Sequence, residues 1–210
     1  MDKYEQTAST WNKVAKLYEE KFMHLDVYND TYDLFCRLMD TPDAAVLELG
    51  CGPGNICHYM LQQQPQWKWL GTDFAPAMIE LARGHNPTAR FEVMDARAIG
   101  QIGEQFNGII GGFCLPFLSQ EDCSRFFEDC GQLLYSNGIL YTSFVAGNYE
   151  ESGYKTSSTG DKTYFHYHPI DMVKEQLEKA GFVIEQTLTV DFPRKNEQPE
   201  KHTVMIARKG

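Results

Sequence analysis

Glu48, Gly50, Gly52 and Gly54 stand at alternate positions in one stretch, Ala45-Val46-Leu47-Glu48-Leu49-Gly50-Cys51-Gly52-Pro53-Gly54-Asn55. The apolar run ahead of the glycines reads as a buried strand entering a tight turn. Glycines let the backbone take positive φ and let a ligand approach the main chain closely. That is the layout of a nucleotide-type cofactor loop at the end of a first parallel strand. Two ligand classes compete for it. A dinucleotide fingerprint reads G-x-G-x-x-G, whereas here the third glycine comes one residue early. Glu48 on the strand would repel a pyrophosphate and attract a cation.

S-adenosylmethionine, which carries a sulfonium and an ammonium, has the matching sign. The run Val46 to Asn55 resembles motif I of the class I S-adenosylmethionine-dependent methyltransferases. It shares their acidic residue on the strand and the E-x-G-x-G-x-G order. The resemblance assigns Glu48, Gly50, Cys51, Gly52, Gly54 and Asn55 to the cofactor. A glycine turn with no ligand is the plain alternative.

Asp73 follows Gly50 by 23 residues, at the end of a second strand read over Trp67 to Asp73. The spacing is near the ~20 residues expected for a ribose-binding acid. A carboxylate suits two neighbouring hydroxyls; the alternative is a cap for the helix that opens at Ala75-Pro76. The resemblance extends over Gly71-Thr72-Asp73-Phe74-Ala75-Pro76-Ala77-Met78 and implies that Phe74 and Met78 flank the adenine. Either could instead be plain core. It also assigns Asp95, after a third strand at Ala89 to Met94, to the adenine amino group, and the Ala96 backbone to the ring edge. A strand-end turn is the alternative for Asp95.

Phe106 to Leu118 reads as a fourth strand and its exit loop. Asn107 stands where many relatives have Asp, at the strand start and away from the ligand end. Phe113, Cys114 and Leu115 fall where methyl and acceptor should meet. Cys114 reads as a small apolar wall, with a nucleophile as the alternative. Extended backbone through Tyr164-Phe165-His166-Tyr167-His168 puts the two histidines on one face and Phe165 and Tyr167 on the other. No third ligand stands nearby, so no metal is expected. His166 is the candidate general base; an ordinary structural role is its alternative.

The elements that must carry these residues follow from the chain in order. Residues 5 to 39 have helical periodicity, with an irregular stripe through Trp11, Val14, Ala15, Leu17, Tyr18 and Phe22. This segment is expected to lie over the pocket, with Tyr18 either touching the cofactor or simply packing. Helices are expected at 55 to 64, from Ala75, at 121 to 134 and at 170 to 180, with a fifth strand over 139 to 145. Gly147 to Thr163 is irregular and polar, and reads as a substrate cover, with a merely mobile loop as the competitor. Residues 181–190 and 201–208 read as two closing strands.

The expected fold is α/β, with strands alternating with helices and hence a parallel sheet. The resemblance adds a Rossmann-like three-layer sandwich whose seven-stranded mixed sheet has an antiparallel last strand. One domain is expected: 1–42 a helical lid, 43–146 the cofactor half, 147–168 the substrate cover, and 169–210 the closing helix and strand pair.

Composition bounds the rest. Nineteen Lys and Arg against 29 Asp and Glu give a net charge of −10, which disfavours nucleic acid and anionic membranes as partners. No apolar run reaches the ~18 residues of a membrane span. The N-terminus lacks a signal-peptide core, and the six cysteines form no C-x-x-C pair. These features point to a reducing cytoplasm. The expected activity is methyl transfer from S-adenosylmethionine to a small molecule, with S-adenosylhomocysteine as product. A protein methyltransferase, a non-catalytic cofactor-binding regulator and a nicotinamide oxidoreductase are the alternatives. Nothing in the sequence specifies an oligomeric state.

Overall fold

Five parallel strands carry the chain back and forth across one sheet, and two more close it. A computed structural model describes residues 2–157, 160–194 and 198–210. The strands are β1 (Ala45–Leu49), β2 (Lys68–Asp73), β3 (Arg90–Val93), β4 (Phe106–Gly111) and β5 (Leu134–Phe144), then β8 (Phe182–Phe192) and β9 (Glu200–Lys209). The sheet order is β3-β2-β1-β4-β5-β9-β8. β9 runs antiparallel to both its neighbours, so the mixed seven-stranded sheet with a reversed last strand is as expected. Two short strands, β6 (Gly153–Thr156) and β7 (Lys162–Phe165), pair separately as an antiparallel hairpin.

Helices cover both faces: α1 (Lys3–Phe22), α2 (Asn29–Met39), α3 (Asn55–Gln63), α4 (Pro76–His85), α5 (Gln120–Leu133) and α6 (Ile170–Lys179). The local sequence explains several starts. Asp2 accepts from the Tyr4 and Glu5 backbone N–H groups while the Glu5 carboxylate accepts from the Asp2 N–H, a reciprocal cap for α1. Ser119 and Asp122 do the same for α5. Pro76 opens α4, where its missing N–H costs nothing.

Strand alternation divides the core. Leu47 and Leu49 face α5 and α6 with Leu70, Ile109 and Leu140. Val46 faces α2 and α3 with Trp69, Ile110 and Tyr141. Glu48 shares the Val46 face, because side chains two apart point the same way. The parallel strands end along one edge, and the order reverses between β1 and β4. Ligands of open α/β sheets bind at such a switch point. Among the described residues no helix is long and apolar enough to cross a membrane.

Two expectations need correction. The polar section 147–163, of which residues 158 and 159 lie outside the described part, holds β6 and the start of β7. The hairpin is fastened to α1 over a long sequence distance. The Thr10 hydroxyl donates to the Lys162 carbonyl at 2.6 Å, the Tyr164 N–H donates to the Thr7 hydroxyl at 3.0 Å, and Lys13 pairs with Asp161 at 2.7 Å. Second, β5 starts earlier than the expected residue 139. The strand begins at Leu134, and the irregularity is absorbed as a register shift with β4 and a left-handed Asn137 (φ 63°). Asn107 lies at the far end of the sheet from the glycine loop, as expected, where its Oδ1 accepts from the Ala45 N–H at 2.9 Å.

Candidate functional site

The loop after β1 is left-handed at Gly50, Gly52 and Gly54, with φ of 68°, 53° and 81°. The glycines serve different ends. A Cβ on Gly54 would come within 2.5 Å of the Asn86 side chain and 3.2 Å of Ala82, so this residue lets α3 start against α4. A Cβ on Gly52 would meet only the Tyr18 ring, at 3.6 Å, across a cavity of 520 Å³. That volume lies in the ~300–1,000 Å³ range of small-molecule sites.

Asp73, at the end of β2, ties the loop down. Its Oδ2 accepts from the Gly52 N–H at 3.0 Å and its Oδ1 from the Ala75 N–H at 2.8 Å. The carboxylate is buried and faces the cavity. Burial lifts its pKa to about 6, against the two backbone bonds that pull it down. It therefore anchors the loop and still offers acceptor lone pairs to a ligand. Phe74 and Met78 continue the wall.

Asp95 and Ala96 also line the cavity. Asp95 caps the short turn Ala96–Gln101 and is gripped by Arg97, whose Nη2 lies 2.6 Å from Oδ2. The Arg97 guanidinium in turn sits 3.7 Å from the centre of the Tyr4 ring, and the Tyr4 hydroxyl donates to Asp122. The start of α1 is thereby strapped across the ends of β3 and α5.

The face of α1 that forms the roof carries Tyr4, Ala8, Trp11 and Tyr18. Trp11 meets Tyr18 edge-on at 5.3 Å and Phe117 at 5.7 Å. Phe113 and Cys114, after β4, close the far wall with Phe117 and Leu118. Burial pushes the Cys114 thiol far up, so it is no thiolate at neutral pH. Trp11 and Tyr18 were visible on one stripe, two helical turns apart. Tyr4, Arg97, Phe117 and Leu118 gave no separable signal in the sequence.

Four expected residues lie off the cavity wall: Glu48, Cys51, Gly54 and Asn55. Glu48 lies behind the loop and is 1% exposed. Its Oε2 accepts from the Trp69 indole N–H at 3.1 Å, and its Oε1 has no hydrogen-bond partner. Burial, with a contribution from Asp73, raises its pKa to about 8, against the Trp69 and Cys57 N–H groups.

His166 also lies off the wall, and the expectation of a base there needs correction. It is 2% exposed, Lys3 Nζ is 3.3 Å from its Nε2, and Tyr149 stacks on it at 5.6 Å. Burial, then Lys3 and His168, lower its pKa to about 4. The two histidines do share a face, as expected, with their rings stacked at 6.1 Å. Their contacts hold the turn that carries Phe117. The His166 N–H donates to the Pro116 carbonyl at 2.7 Å, and His168 Nε2 donates to the Leu115 carbonyl at 3.0 Å.

Comparison with known proteins points the same way as this geometry. A family model described as a methyltransferase domain matches residues 46–138. A putative methyltransferase, 235L of Invertebrate iridescent virus 6, is 26% identical over 64% of this chain, which spans only 48% of that relative. Among solved structures, a 1,6-didemethyltoxoflavin-N1-methyltransferase of Burkholderia thailandensis, with bound 1,6-didemethyltoxoflavin and S-adenosylhomocysteine, has the same fold. It superposes with a TM-score of 0.75 at 19% identity over 100% of this chain and 91% of its own. The tRNA N(3)-methylcytidine methyltransferase trm141 of Schizosaccharomyces pombe is 31% identical, over 99% of this chain and 92% of its own length. Kinship along nearly the whole of both chains, with the matching domain and cofactor-bound neighbours, places this protein in the class I S-adenosylmethionine-dependent methyltransferases.

Proposed function

We propose that the chain methylates a small molecule taken into the half-open cavity beneath α1, and the roofing of that cavity by α1 is the observation that carries the reading. A roof from α1, a wall from Phe113 to Leu118 and a floor from the glycine loop leave room for a cofactor and a compact acceptor. The charge supports the same reading. Asp2, Glu5, Asp73 and Asp95 line the cavity, and Arg97, the one lining cation among the described residues, is spent on Asp95. A polyphosphate strand entering the cavity would meet those four carboxylates.

The residues present suit S-adenosylmethionine. The unpartnered Glu48 Oε1 lies buried behind the loop, Asp73 has spare acceptor capacity, and Tyr4, Trp11, Tyr18, Phe74, Phe113 and Phe117 give the wall aromatic faces. The bound cofactor supplies a methyl group already made electrophilic by its sulfonium. On this reading Gly50, Gly52 and Asp73 hold the amino-acid end and ribose. Phe74, Met78, Asp95 and Ala96 hold the adenine, and Tyr18 and Phe113 flank the methyl. Residues 1–42 supply the roof, 43–146 the cofactor half, 147–168 the acceptor cover, and 169–210 close the sheet. Orientation and exclusion of water then supply the rate, worth up to about 7–11 kcal/mol in favourable cases.

Glu48 gives this reading a pH signature. With a pKa of about 8 it is mostly protonated at pH 7. A nearby cation favours the ionised form, so cofactor binding should release a proton and tighten as pH rises toward 8. Calorimetry at pH 7 in two buffers of different ionisation enthalpy should show that release, and Glu48→Gln should abolish it.

The fission-yeast relative favours a second reading, in which the acceptor is tRNA. Incubation of a cell extract with the protein and methyl-labelled S-adenosylmethionine separates the two. Label is expected in the small-molecule fraction; label confined to tRNA would overturn the proposal.

A further inference from the structure

A buried polar chain lies directly behind Phe113. His202 is 4% exposed, yet both its ring nitrogens are engaged. Its Nε2 is 2.8 Å from Glu200 Oε2. A carboxylate only accepts, so Nε2 carries the proton. Nδ1 is then the acceptor, and the Tyr28 hydroxyl donates to it. Arg194 holds the other Glu200 oxygen. Burial pushes the His202 pKa down, outweighing the pull of Glu200, which keeps the ring in the neutral form that this pattern requires. The ring is thus fixed in plane by two bonds. Phe192 stacks on it at 4.8 Å and 14°.

Phe113 needs such a seat. Its φ is +56°, in a region that a bulky L-residue rarely adopts and keeps only when its surroundings over-determine it. Two contacts do so. Its N–H donates to the Ser143 hydroxyl at 3.0 Å. Its ring packs against His202 at 4.6 Å and 62°, and against Tyr28 at 5.9 Å. Topology explains the meeting. β9 runs antiparallel to β5, so its first residues arrive at the edge where β4 ends.

We propose that the Glu200–His202–Tyr28 chain is a positioning device that holds Phe113 against the methyl-transfer end of the cavity. It rests on the reading that Phe113 flanks the methyl. His202 and Tyr28 are positioning residues, because neither lines the cavity. The competing role is a plain tie between α2 and β9.

The full chain, loaded with S-adenosylmethionine labelled with 13C in its methyl group, separates the two. The bound methyl resonance reports the aromatic ring beside it. His202→Ala, Glu200→Ala and Tyr28→Phe should each move that resonance toward its position in free cofactor. Glu200→Gln, which keeps an acceptor, should restore it. Affinity for S-adenosylhomocysteine should stay within about threefold, or about 0.7 kcal/mol. A lowered melting temperature with an unmoved methyl resonance in Tyr28→Phe and Glu200→Ala overturns the proposal, even if His202→Ala fails to fold. Absence of any S-adenosylhomocysteine binding by the unmodified chain would instead overturn the reading of the cavity itself.

Discussion

Gly52→Leu is expected to abolish measurable binding of S-adenosylmethionine and to leave cooperative thermal unfolding in place. The backbone at Gly52 is left-handed, so any L-side chain there carries about 1–2 kcal/mol of strain. The larger effect is spatial. The Cβ itself would sit in ordinary contact with the Tyr18 ring at 3.6 Å, and the branches beyond it would enter the space between loop and roof. The fold should tolerate this, because Gly52 faces the cavity and packs in neither main core cluster. Gly54 makes the contrast. A Cβ there collides with Asn86 and Ala82, so Gly54→Leu should lower the melting temperature as well as the affinity. Calorimetry with S-adenosylhomocysteine, alongside thermal melts of both variants, checks the pair. Undiminished binding by Gly52→Leu would show that the ligand lies elsewhere.

The second large effect belongs to Asp73. Asp73→Ala removes the acceptor proposed for the ribose and frees the Gly52 N–H, which loosens the loop. Hydrogen bonds to charged groups contribute about 1.5–3 kcal/mol each, so a loss of about 100-fold or more in affinity is expected. The same substitution has a pH consequence. The Asp73 pKa is raised on folding to about 6, so the folded state holds its proton more tightly than the unfolded one. That stability term is full below the unfolded carboxylate range and is lost as pH rises through about 6. Glu48 acts in the same direction up to about pH 8. Urea titrations from pH 4 to 7 should show a shallower fall of stability in Asp73→Ala than in the unmodified chain. Identical slopes would mean that Asp73 is ionised as easily in the fold as out of it.

What could be read in advance depended on how local the cause was. The glycine loop, Asp73 and the alternation of strands with helices are written over short stretches, because turn geometry and burial act on neighbouring residues. The roof is different. Its residues are set by contacts such as Thr10 with Lys162 and Tyr4 with Asp122, separated by 152 and 118 positions. No periodicity within α1 names those partners. His166 shows the limit most clearly. Its face was read correctly from alternation, but its environment was supplied by Lys3, Tyr149 and Pro116. Alternation places Glu48 on the right strand, and only its hydrogen bond from the Trp69 indole, on the neighbouring strand, shows that it stands behind the loop.

The long-range fastening of α1 also bears on how the chain acquires its structure. Contacts of such high sequence separation form late, since the loop between them must close first. The sheet and its covering helices can assemble before α1 meets β7. The fastenings to the hairpin are polar: a hydroxyl to a carbonyl, an N–H to a hydroxyl, and a lysine to a carboxylate that is itself largely buried. Segments held that way open at lower free energy than the core strands. Amide exchange should therefore release α1 before β1 or β4, and in the cofactor-bound protein that release should become slower.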